Sequence, residues 1–77
     1  MSKKSEIKKT ETSINRLLES HGAKYRVAVR MAYGQAGIDR VNLESDSLAN
    51  LTPLMGYNDL IGYMEGFKSA LAFLHDK

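Results

Sequence analysis

Between residues 24 and 33 the chain alternates without a lapse: Tyr25, Val27, Val29, Met31 and Tyr33 are large and apolar, and Lys24, Arg26, Ala28, Arg30 and Ala32 fill the even positions. A period of two over this length predicts a strand whose odd positions face a core. The stretch GQAG, residues 34–37, supplies turn residues, and IDRVNLE, residues 38–44, reads as a second strand with Val41 and Leu43 inward. For Val41 and Leu43 to share a face with Val27, Val29 and Met31, the numbers of paired residues must sum to an even value. A hairpin loop of about three or five residues meets that condition, whereas a loop of about two or four turns Val41 outward.

Outside the hairpin the period changes. Ile7, Ile14, Leu17, Leu18 and His21 fall near one face of a helix, and Gly22 follows as a left-handed terminator. The stripe is thin before Ile14, so the pattern predicts a helix over residues 10–21 and a basic, partly disordered tail over residues 1–9. Toward the other end, Leu60, Met64, Phe67, Leu71 and Leu74 recur in steps of four and three, widened by Ile61, Tyr63, Ala70 and Phe73. This second helix begins near Gly56, with Asp59 placed where a carboxylate favours the positive helix end. Residues 45–55 form a connector anchored by Leu48, Leu51 and Leu54; a short third strand fits there, but Pro53 argues against a long or central one. The expected architecture is α+β: helix, β-hairpin, connector and helix, with two helices on one face of a small antiparallel sheet and one domain over residues 10–77.

Composition narrows the picture further. A chain of 77 residues forms a marginal core and often needs a disulfide, a metal or a partner subunit. It has no cysteine and only two histidines, His21 and His75, so self-association as a homodimer is the expected supplement and a cytoplasmic setting fits. No apolar run predicts a membrane span or a signal peptide. The net charge of +2 diagnoses nothing, but Lys3, Lys4, Lys8 and Lys9 make the first residues basic.

The stretch LTPLMGYNDLIGYMEGF carries a resemblance. With Leu54, Asp59, Leu60, Tyr63, Met64 and Gly66 in matching places, residues 24–70 resemble small accessory proteins of phages and prophages of Gram-positive bacteria. Such proteins pair a charged N-terminal helix with a Tyr-rich hairpin and a closing helix of this pattern. Gly56 stands where a Ser or Thr cap is more usual in that group. The resemblance implies a protein in the host cytoplasm that binds and modulates a host or defence protein.

Candidate chemistry is sparse. The chain has no Cys nucleophile, no Gly-x-Ser-x-Gly elbow, no phosphate-binding glycine loop and no His spaced usefully from a carboxylate, so no enzyme is expected and no cofactor or metal. His21 and His75 read as helix-end caps, and Glu44 and Asp46 lack a calcium-loop pattern. Two features remain. Lys24, Arg26 and Arg30, joined by Arg40, form a basic outer face on the hairpin, which is either a solvated face or a nucleic-acid interface. Gly62, Gly66 and Ala70 repeat every fourth position as a smooth ridge, although each interior Gly costs about 1 kcal/mol against Ala. Close packing on the hairpin of the same chain, contact with a second chain, or docking of a host partner would each account for it.

Overall fold

The computed structural model describes residues 2–75, with side chains through Phe73. The cap expected of His75 and the inward placement expected of Leu74 therefore lie outside the described side chains. Five elements follow in order: α1 (Lys3–Ser20), β1 (Tyr25–Ala32), β2 (Gln35–Asn42), β3 (Leu48–Asn50) and α2 (Tyr57–His75). The strands form one antiparallel sheet in the order β1-β2-β3, and the helices pack against it, so the α+β class holds.

The first helix starts much earlier than its thin apolar stripe suggested. Ser2 caps it, its side chain accepting from the Ser5 N–H at 3.2 Å. Ile7 has no exposed surface and joins Ile14 and Leu18 in the core. Residues 3–9 thus belong to the domain, which corrects the expected tail over residues 1–9. One buried Ile is worth roughly 1.5–3 kcal/mol, enough to hold a Lys-rich turn that propensity alone leaves undecided. The other end matches expectation: Gly22 has φ +72°, its N–H donates to Glu19 and the Ala23 N–H donates to Leu18, which is the paired bonding of a Schellman motif.

The hairpin departs from the expected register. Tyr33 and Gly34 both have positive φ, +55° and +72°, and they alone form the loop, with the signature of a type I′ turn. Paired residues run from Tyr25↔Asn42 to Ala32↔Gln35, so Val27 opposes Arg40, Val29 opposes Ile38 and Met31 opposes Ala36. The inward residues of β2 are therefore Ala36 and Ile38, both with no exposed surface, while Val41 and Leu43 turn to the other face and Leu43 is half exposed. Tyr33, expected inward, is 95% exposed at the hairpin tip.

That outer face explains why this register is stable. Arg30 donates a charge-assisted hydrogen bond to Asp39, its diagonal neighbour across the pair, and further bonds to the Asn50 side chain at 3.2 Å and the Thr52 carbonyl at 3.1 Å. Asp39 is only 5% exposed, so the ion pair is nearly dry on the carboxylate side. Gly37 makes room for it: a Cβ there would lie 2.7 Å from Arg30 Nη2 and 2.9 Å from the Pro53 carbonyl oxygen. Here the glycine is required by close approach.

Residues 48–55 line the free side of β2, with the strand interrupted before Pro53 as expected. Thr52 repairs the interruption. Its Oγ1 accepts from the Ile38 N–H at 3.0 Å, and the Leu51 and Thr52 N–H groups both donate to the Ile38 carbonyl. Ala36 and Met55 then exchange two bonds at 2.9 Å, which delivers the chain to Gly56 and the start of α2 beside the hairpin tip.

The two helices run parallel. Lys3 donates to the Asn58 side chain at their N-terminal ends, and the His21 ring nitrogen lies 3.1 Å from the Leu71 carbonyl at the other. His21 thus reaches a carbonyl of α2 through its side chain. Leu60 and Met64, both without exposed surface, close the core between α1 and the sheet, with Tyr57, Ile61, Phe67 and Leu71 half-buried around them.

Candidate interaction surfaces

The basic hairpin residues do not form one surface. Arg40 opposes Val27 and stands on the opposite side of the sheet from Arg26 and Arg30, with its guanidinium 5.5 Å from the centre of the Tyr25 ring. The corrected register separates it from the others, since a change of parity sends every β2 side chain to the other face. Arg30 is committed to Asp39, Asn50 and Thr52. Lys24 lies 3.4 Å from Glu44, both largely exposed. Arg26 alone of the four is exposed on the outer face without an ion pair among the described residues.

Gly62, Gly66 and Ala70 are brought together as expected, but not against the hairpin. All three are exposed, and a Cβ built on Gly62 or Gly66 meets nothing within 4 Å. Packing of the ridge on the sheet of the same chain is thereby overturned: α2 turns Leu60 and Met64 inward and the glycines away. At about 100° per residue, Gly62, Gly66, Ser69, Ala70 and Phe73 share an arc of roughly 100°, with Tyr63 at its margin. Tyr63 is 41% and Phe73 65% exposed. Between Gly62 and Phe73 the only charged residues are Glu65 and Lys68, both outside that arc. The Tyr63 ring also lies tilted against that of Phe67, one turn further along the helix, with ring centres 6.5 Å apart.

The sheet edges are closed in ways the sequence pattern did not show. Asn15 lies alongside β1 like a strand neighbour: its Oδ1 accepts from the Val27 N–H at 2.8 Å and its Nδ2 donates to the Val27 carbonyl at 3.0 Å. One turn earlier, Glu11 accepts from the Val29 N–H at 2.7 Å. Polar residues at i and i+4 beside an apolar helix stripe were the available signal, but only the docked geometry reveals what they bond. Pairing of a second chain along this edge is blocked at Val27 and Val29. At the far edge β3 is three residues long, a brief template for another strand.

Tyr33 is a residue that sequence reasoning misplaced. A bulky side chain at positive φ costs roughly 1–2 kcal/mol, and Asn or Gly would suit this turn position. At 95% exposure it recovers nothing by packing.

Near the other end of β1, a shallow cleft of about 270 Å³ is bordered by Glu19, Tyr25, Arg26 and Leu43. No nucleophile stands beside a base there, and its Asn15 amide is already engaged by Val27. Among the described residues no group of three His, Cys, Asp or Glu side chains converges on a metal-sized site, and no helix is long and apolar enough to cross a membrane. Comparison with family models, with curated proteins and with solved structures finds no match for the chain.

Proposed function

We propose that this is a small non-enzymatic accessory protein of phage or prophage origin that docks a host or defence protein on the open face of α2. One observation carries the reading. Two interior glycines, each costing about 1 kcal/mol of helix stability, border empty space. Among the described residues nothing packs on their smooth surface, which favours a use outside the domain. A surface of Gly62, Gly66, Ser69 and Ala70, flanked by the exposed rings of Tyr63 and Phe73, lets a partner backbone approach closely between aromatic anchors. The resemblance to phage accessory proteins supplies the class of partner.

Affinity capture from a lysate of a Gram-positive bacterium, with and without nuclease, tests this reading. The wild-type chain retains a nuclease-resistant protein, and Gly66→Lys, which puts a good helix former on an exposed position, loses it. Equal capture by both chains refutes the docking face. An isologous pair of α2 helices is the second occupant that the uncharged surface suits. Sedimentation equilibrium distinguishes it, because a homodimer through α2 dissociates in the same variant without any host protein.

A further inference from the structure

We propose that the hairpin-tip end of the domain binds single-stranded nucleic acid, with a base stacked on Tyr33 and adjacent phosphates held by Lys4 and Lys8. The elements converge there. Glu11 and Asn15 fix α1 antiparallel to β1 by bonding Val29 and Val27. From Glu11 back to Lys4 the helix advances about 10 Å, and from Val29 forward to Tyr33 the strand advances about 13 Å. Lys4 and Lys8 follow Glu11 and Asn15 on the β1 side of the helix, by i, i+4 spacing and the neighbouring i, i+3 position. They therefore reach the level of Met31 and Tyr33, where the β1 edge carries no capping side chain among the described residues.

The charge at this end is largely uncommitted. Lys4 and Lys9 make no ion pair among the described residues, and Lys8, 62% exposed, holds Glu11 only at 3.6 Å. The Glu11 carboxylate is itself turned to the Val29 N–H. Tyr33 supplies an exposed aromatic face at the level that these lysines reach. It sits in a strained turn that an Asn would satisfy, so its ring is explained by contact beyond the chain. Bases in a duplex are already stacked, which favours a single strand. Every exposed residue of α1 is a Lys, Arg, Glu, Ser or Thr, so this helix has nothing to insert into a bilayer. This site is separate from the α2 face, and either can fail without the other.

The test is fluorescence anisotropy of the full chain with an end-labelled oligo-dT of about 20 nucleotides at low salt. Tyr33→Asn weakens binding about tenfold while its melting temperature holds or rises, and Tyr33→Phe binds like the wild type. Lys4→Ala with Lys8→Ala lowers the slope of log K against log salt by about 1.4, from roughly 0.7 per phosphate contact. Arg26→Ala changes neither. Absence of wild-type binding at low salt overturns the proposal. So does full binding by Tyr33→Asn, equal affinity for a duplex, or equal competition by anionic phospholipid vesicles.

Discussion

Gly66→Ala and Gly62→Ala should each make the protein more stable. Both positions lie inside a 19-residue helix, and the added methyl meets no atom within 4 Å in either case. The change then reports helix propensity alone, about 0.8–1 kcal/mol per site, with no packing cost to subtract. For a domain of this size 1 kcal/mol raises the melting temperature by about 4–8 °C. The double variant should gain close to the sum, since the two methyl groups stand a turn apart and share no partner. Thermal and urea melts followed by circular dichroism, at two protein concentrations differing about tenfold, measure this directly. A loss of stability in either variant refutes the argument, because it means that a surface covers the ridge in solution. A loss that deepens on dilution would identify that surface as a second copy of the chain.

Other substitutions probe the parts that hold this face in place. Gly37→Ala should destabilise by about 1–3 kcal/mol, because the Pro53 backbone at 2.9 Å cannot yield freely; a urea melt checks it against Gly62→Ala. Arg30→Ala should cost roughly 3–5 kcal/mol by leaving the Asp39 carboxylate nearly dry and without a counter-charge, whereas Arg26→Ala should shift the urea midpoint hardly at all. Ile7→Ala should cost about 2–5 kcal/mol in the same melt, an outcome that a disordered N-terminal segment could not produce.

Much of the architecture was legible because its signals are local. Gly22 ends α1, Pro53 limits β3, and steps of four and three through Leu60 and Met64 mark α2 as a helix. Register was not legible. Tyr33 prolonged the alternation by one apparent inward position, yet its backbone had become a turn. Ala36 is a small core residue that hydrophobic patterning undervalues, and Gly37 looked like loop when its missing side chain was serving Arg30. One step of parity moved Val41, Leu43 and Arg40 together, and the expected basic face came apart with them. Asn15 and Glu11 were illegible for a different reason: their i, i+4 spacing marks a polar strip beside the core but not the backbone that it bonds. The ridge of α2 was found by spacing, but whether it was covered depended on the rotation of the helix, which the wide apolar stripe left undecided.

The central claim is that the open face of α2 is where a partner sits. Hydrogen–deuterium exchange of the chain, alone and saturated with its captured host protein, tests that claim most directly. Since backbone amides in α2 exchange through local opening, bound partner should slow exchange across residues 60–73 while leaving the β1–β2 hairpin unchanged. Protection confined to the outer face of the hairpin or to β3, with residues 60–73 exchanging as in the free chain, would contradict it.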